Sequence, residues 1–265
     1  EQCRLVDVRS AEAFLAERLP DSIWLAATEF SRKDGSASEK LPPAEDLLIM
    51  LSDRGFGQDM HIVLYGANGS AGDIVPVTRV FWALEFLGYT NISILDGGMS
   101  RWKEEGKPVI TEAPTSSPPP TAIRPVPETA EKAANLAVVK QALETKSAVL
   151  VDTRPPNQFD GSVLVRGISR KGHIPGAQNI PYFLVVNMPH AVFKSVDDLK
   201  EILYTDVIIP ENAVITYCNT GATSTVLYFA YRLIGHERIA NYDGGMFEWA
   251  ANVDLPVSTD PPVSN

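Results

Sequence analysis

Leu150-Val151-Asp152-Thr153-Arg154 is a short apolar run that ends in Asp-x-Arg, and Leu5-Val6-Asp7-Val8-Arg9 near the start of the chain is the same run. Phe14 and Phe159 follow the two runs at the same offset. A short apolar run closed by polar residues reads as a buried strand. Its return in the second half marks a tandem repeat, and the neighbouring sequence extends the match. Ile62-Val63-Leu64-Tyr65-Gly66 reappears as Ala213-Val214-Ile215-Thr216-Tyr217-Cys218. Asp96-Gly97-Gly98-Met99 reappears as Asp243-Gly244-Gly245-Met246, Trp102 and Trp249 each follow that Met by the same step, and Pro108-Val109 matches Pro256-Val257.

Between the copies, Thr111 to Pro127 is dense in Pro, Ser and Thr and includes Pro118-Pro119-Pro120. Such composition disfavours helix and sheet and reads as a semi-rigid linker. The expected organisation is an N-terminal domain at 1–110, a linker at 111–127 and a C-terminal domain at 128–265. The second copy has a helix-like stretch, Glu128 to Lys146, ahead of its Asp-x-Arg strand, where the first has only Glu1 to Arg4. The first copy therefore reads as truncated at its start. In each copy short apolar runs alternate with amphipathic segments, the pattern of an α/β domain with a parallel sheet and helices on both faces. The second copy predicts strands at Val149–Asp152, Ala177–Ile180, Ala213–Tyr217 and Ile239–Tyr242, and helices at Val196–Tyr204 and Ser224–Ile234.

The chain has 265 residues, 45% hydrophobic and 21% charged, with no apolar run long enough to cross a bilayer. It reads as soluble with no membrane partner, and composition does not choose between cytoplasm and periplasm. The formal charge of -10 argues against nucleic acid, whose backbone is held by clustered cations. Two cysteines, Cys3 and Cys218, cannot supply a disulfide framework.

Cys218 falls between a predicted strand end and a predicted helix start, where open α/β sheets bind ligands. The unpaired N–H groups of a tight loop there favour negative charge and stabilise a thiolate. In Cys218-Asn219-Thr220-Gly221-Ala222-Thr223, the glycine permits a close turn and two hydroxyls can bond a sulfur or oxygen anion.

With these motifs assembled, the chain resembles the rhodanese family. The Asp152-Thr153-Arg154 strand, Gly172-His173-Ile174-Pro175-Gly176-Ala177, the Cys218 loop and Asp243-Gly244-Gly245 with Trp249 follow the order of that family's motifs. The likeness spans nearly the whole chain and is nearest to the tandem thiosulfate and 3-mercaptopyruvate sulfurtransferases. It implies two tandem rhodanese-like domains and a persulfide carried on Cys218. It also implies a sulfur cradle formed by Asn219, Thr220, Gly221, Ala222 and Thr223, with the hydroxyls of Thr220 and Thr223 assisting. No metal or organic cofactor is implied. The partners implied are a small sulfur donor and a cyanide or thiol acceptor, or a sulfur-accepting protein. Gly66 stands where Cys218 does, so the first copy lacks a nucleophile and serves as a wall of the cleft. The family's donor-binding Arg, six residues after the Asp of the Asp-x-Arg strand, is Gln158 here, which leaves Arg166 or Arg170 to hold the donor anion. Thr220 suits the mercaptopyruvate group, whereas Asn219 and Thr220 replace the basic residues of the thiosulfate group.

Other residues read as structural. Asp152 with Arg154 is a local ion pair, Trp102 and Trp249 suit core packing, and His173, aligned with Leu19 in the first copy, belongs to a turn. A related phosphatase would need an Arg where Ser224 stands. A cysteine protease would need a converging histidine, from His173, His190 or His236. A non-enzymatic rhodanese-like module that binds a partner or carries sulfur is the stronger rival.

Overall fold

The computed structural model describes residues 3–33, 39–112, 119–122 and 131–261. Most of the Pro-rich stretch at 111–127 and the first residues of the expected Glu128–Lys146 helix lie outside them. The chain divides into two compact units. Unit 1 comprises Glu1–Arg32, Leu41–Thr129 and Asn187–Val192; unit 2 comprises Lys33–Lys40, Ala130–Val186 and Phe193–Asn265.

Unit 1 holds a four-stranded sheet in the order Ile23–Trp24, Cys3–Asp7, His61–Tyr65, Ile92–Ile94. Its neighbours are all parallel. Unit 2 holds a five-stranded sheet in the order Ala133–Ala134, Ile239–Tyr242, Val214–Tyr217, Val149–Asp152, Gln178–Asn179, again parallel throughout. Parallel neighbours need crossover connections, and helices supply them. The central strand Val214–Tyr217 is buried along its whole length, as a strand covered on both faces must be. Helix Ser224–Leu233 follows it and is buried from Ser224 to Tyr231.

The expected strands Val149–Asp152 and Ile239–Tyr242 and the expected helices at 196 and 224 form within a residue or so of their predicted ends. The expected helix at Glu128–Lys146 is shorter. Ala133–Ala134 is an edge strand, and the helix runs over Leu136–Thr145. Asn135 sets its start, because its side chain accepts from the Val138 amide, and Lys146 ends it with φ 55°.

The repeat extends to individual hydrogen bonds. Asp7 with Arg9 and Asp152 with Arg154 form matching ion pairs of 2.7 and 2.6 Å. The indole N–H groups of Trp102 and Trp249 donate to the carbonyls of Pro108 and Pro256 at 2.9 and 2.8 Å. This explains why Trp and Pro-Val recur together. The amides of Leu19 and Ile174 each donate to a buried tyrosine hydroxyl, Tyr65 and Tyr217, at 3.2 Å. Arg18 bridges Ile110 as His173 bridges Ser258. The counterpart of His173 is therefore Arg18, which corrects the alignment with Leu19. Both side chains cover the recurring phenylalanine. Arg18 lies 5.0 Å over Phe14, and His173 stacks at 3.5 Å on Phe159.

Candidate active site

Cys218 leaves the C-terminal end of the central strand and is 2% exposed. The loop reaches Ser224, the first residue of the next helix, through Gly221 at φ 73°. A side chain at 221 would meet the Asp243 backbone at 2.5 Å, so only glycine lets the loop lie that close. The N–H groups of Asn219, Thr220, Ala222 and Thr223 donate to no backbone carbonyl among the described residues. A run of such amides at a helix start is a site for negative charge.

Two supports hold the loop. From one side, the amides of Met246 and Phe247 donate to the carbonyls of Cys218 and Asn219 at 2.9 and 3.0 Å. Gly245, at φ 55°, makes this approach possible: a Cβ there would sit 2.6 Å from the Cys218 carbonyl oxygen. From beneath, Asn241 is fully buried and donates to the Gly221 carbonyl at 2.9 Å. Its Oδ1 accepts from Ser224 at 2.5 Å and from Thr216 at 3.4 Å. The Ser224 hydroxyl also lies 3.7 Å from the Cys218 sulfur. It carries a single hydrogen, so it can donate to only one of the two at a time, and a negative sulfur would compete for it.

Beside the loop, Arg154 is 3% exposed and bound to Asp152 and to the Gly172 carbonyl at 2.8 Å. Burial alone would lower its pKa. The charge and hydrogen bonding of Asp152 outweigh that and raise it, with smaller help from Tyr217 and Cys218. The guanidinium is therefore a fixed positive charge whose field reaches the cysteine. It also donates to the Asn219 side chain at 3.4 Å, and Asn219 in turn donates to Gln158 Oε1 at 3.0 Å.

The structure thus brings Cys218, Asn219, Thr220, Gly221, Ala222, Thr223 and Gln158 to one end of one sheet. Thr220 and Thr223 are half-buried. Arg166 is exposed on the loop between Gly161 and Gly167. Arg170 is spent elsewhere: its guanidinium donates to the carbonyls of Ala250, Leu255, Trp249 and Asn252 at 2.7 to 3.3 Å, capping the Gly245–Ala251 helix. Among the described residues, none of the candidates His173, His190 and His236 bonds Cys218. His173 Nδ1 meets the Phe159 carbonyl at 2.8 Å, and burial lowers its pKa. His190 bonds Ser100 and Glu104 in unit 1, and His236 meets the Tyr204 hydroxyl. Among the described residues no cluster of metal-binding side chains occurs.

Sequence reasoning missed Thr216, Ser224 and Asn241. The repeat contains a signal for two of them. By strand register Thr216 pairs with Asn241 where Leu64 pairs with Ile94 in unit 1. Beneath the cysteine loop, polar residues therefore stand where the buried Leu64 and the half-buried Ile94 stand in unit 1. In unit 1 the Gly66 loop keeps the docking bonds, Met99 to Gly66 and Ser100 to Ala67 at 2.9 and 3.0 Å, and adds a 3-10 turn at Ala71–Asp73 before its helix.

Comparison with known proteins identifies the family. The Rhodanese-like domain family matches the chain twice, at residues 1–105 and 135–252. A putative thiosulfate sulfurtransferase of Haloferax volcanii is 31% identical over 96% of this chain and 88% of its own length. The sulfur carrier protein TtuD of Thermus thermophilus is 30% identical over 81% of this chain and 76% of its own. The 3-mercaptopyruvate sulfurtransferase of Escherichia coli K12 is 27% identical over 95% and 86%. Among solved structures, wild-type EanB superposes with a TM-score of 0.85 at 22% identity, over 99% of this chain and 64% of EanB. The chain thus spans under two thirds of EanB, and that likeness speaks to fold alone. The chain belongs to the rhodanese-like domain family, in two tandem copies.

Proposed function

We propose that this member of the rhodanese family is a sulfurtransferase that carries sulfane sulfur as a persulfide on Cys218. The observation that carries the reading is the contrast between the two copies. A cysteine over a Thr216–Asn241–Ser224 network, with the amides of Asn219, Thr220, Ala222 and Thr223 donating to no backbone carbonyl among the described residues, stands in one, and Gly66 over Leu64 and Ile94 in the other. In the proposed cycle, the Cys218 thiolate attacks the outer sulfur of a donor. With thiosulfate the S–S bond breaks and sulfite leaves with the electron pair. With 3-mercaptopyruvate the C–S bond breaks and the carbon gains a proton to give pyruvate. The terminal sulfur then carries negative charge into the amide cradle of Asn219 to Thr223, with Thr220 and Thr223 hydroxyls in reach, and Gln158 or Arg166 faces the donor's anionic end. Cyanide or a thiol removes the outer sulfur and restores the thiolate, completing a ping-pong cycle.

The mechanism predicts that wild-type protein incubated with donor gains one sulfur atom by intact mass and loses it on cyanide treatment. Cys218→Ser should neither load nor turn over while keeping its thermal midpoint. Wild-type rates in that variant would refute the mechanism. A second reading, a carrier that receives sulfur from a partner protein, is favoured by Gln158 in place of the donor-binding arginine and by the relative named as a sulfur carrier. Persulfide loading without turnover on either small donor would select it.

A further inference from the structure

Unit 2 includes Lys33–Lys40, a stretch of sequence from the first repeat, and Lys40 ends the strand Glu39–Lys40. Its ammonium lies 2.5 Å from Glu248 Oε1, with Lys40 and Glu248 side chains 36% and 24% exposed. Glu248 stands in the first turn of the helix whose Met246 and Phe247 amides hold the Cys218 and Asn219 carbonyls. Its carboxylate folds back over the turn, and a Cβ at Gly244 would be 2.0 Å from Glu248 Oε2. Asp243, in the same turn, is the backbone against which Gly221 packs. The carboxylate therefore rests on the peptide turn that carries the sulfur loop. Its charge reaches the buried strand end as well: Tyr242 donates to Glu248 Oε2 at 2.7 Å, and burial followed by the Glu248 charge raises the tyrosine's pKa.

This sets a negative charge on the turn that packs against the Cys218 loop. Arg154 is committed to Asp152 and Gly172, Arg170 caps a helix, and Gln158 is neutral. Lys40 is the cation that the fold sets against Glu248. We propose that Lys40 is a specificity-determining residue of the Cys218 site, which neutralises Glu248 and so admits donors that carry negative charge. The inference rests on the sulfurtransferase reading above and extends it to donor charge. Lys40 acts through Glu248 and through the field over the loop, not by bonding the reacting sulfur, so its effect scales with the charge of the donor.

The test is a two-residue cycle, Lys40→Gln, Glu248→Gln and the double variant, assayed on thiosulfate, a dianion, and 3-mercaptopyruvate, a monoanion. An unpaired unit charge near a partly buried site changes anion affinity on the order of tenfold per donor charge at low salt. Lys40→Gln should raise KM for thiosulfate more than for 3-mercaptopyruvate, with a smaller change in kcat, and added salt should shrink the difference. The double variant should recover most of the lost kcat/KM, since removing Glu248's charge removes what Lys40 offsets. Equal losses on both donors, or a double variant no better than Lys40→Gln, would overturn the proposal and leave Lys40 as a structural tie. Intact-mass loading of wild-type Cys218 is run alongside. If wild type does not load from either donor, the sulfurtransferase reading and this inference fall together; if it loads and Lys40→Gln keeps wild-type KM values, this inference alone fails.

Discussion

Gly245→Ala tests whether the docked helix positions the sulfur. At φ 55° an alanine sits in the left-handed region, and its Cβ would lie 2.5 Å from the Asn219 carbonyl oxygen and 2.6 Å from that of Cys218. The backbone strain is about 1 to 2 kcal/mol. Relief of the overlap moves the helix start off the loop and weakens two hydrogen bonds, Met246 to Cys218 and Phe247 to Asn219, each contributing about 0.5 to 1.5 kcal/mol. The expected loss of stability is therefore about 2 to 5 kcal/mol, read from the urea midpoint. The repeat supplies a control. Gly98→Ala has φ 49° and places its Cβ 2.5 Å from both the Gly66 carbonyl and Asn68 Oδ1. The two variants should lose similar stability. Only Gly245→Ala should slow single-turnover sulfur loading at a temperature where both stay folded, on the order of a hundredfold if the sulfur moves by about 1 Å. Equal loading rates in the two variants would show that carbonyl docking does not set the sulfur's position.

Gln158→Arg adds a charge that can bind the donor anion, worth about 1.5 to 3 kcal/mol, but it removes the acceptor of the Asn219 amide, a loss of about 1 kcal/mol. The net gain in kcat/KM on small anionic donors is then about twofold to thirtyfold, and an unchanged value together with a raised KM in Arg166→Ala would move the anion site to the 161–167 loop. Gly66→Cys should load poorly in a Cys218→Ser background, because its Cβ would sit 2.6 Å from Val77 Cγ2 and 3.3 Å from Asn68 Oδ1, and Leu64 and Ile94 stand where Thr216 and Asn241 do. Overpacking of this kind costs about 1 to 3 kcal/mol, and persulfide formation near the wild-type rate would refute the account of the polar network. His173 is held neutral by burial, with its pKa lowered. The unfolded chain therefore takes up a proton below about pH 6.5 that the folded state resists, and stability falls as pH falls through that range. The slope of thermal midpoint against pH should flatten in His173→Gln, without vanishing, since His236 is shifted in the same direction by burial; an unchanged slope would remove His173 from the linkage.

The fold was legible because its information is periodic and appears twice. The strand Val149–Asp152 and helix Ser224–Leu233 are fixed by runs of buried side chains, and a repeat lets each copy check the other. Boundaries failed where a single local contact decides them, as at Asn135, whose cap shortens the helix expected from Glu128. His173 is a different case: Leu19-Pro20 against Ile174-Pro175 already sets Arg18 opposite His173, and the stacking on Phe159 and the bridge to Ser258 agree with that register.

The site divides along the same line. Cys218 and its loop are contiguous, so spacing and glycine placement expose them, whereas Thr216, Asn241, Ser224, Lys40 and Glu248 meet only after the sheet is built. What the two copies share, the Asp-Arg pair, the tyrosine hydroxyl and the Trp-to-Pro bond, is the part that folding alone demands, since it persists in the copy without a nucleophile. What they do not share is the set of candidates for chemistry: Cys218 against Gly66, Thr216 against Leu64 and Asn241 against Ile94. Burying an amide and a hydroxyl where leucine and isoleucine serve equally well costs stability unless every hydrogen bond is met. Their presence in one copy alone matches the group that the other copy lacks, and the proposed cycle asks that group to carry negative charge while buried.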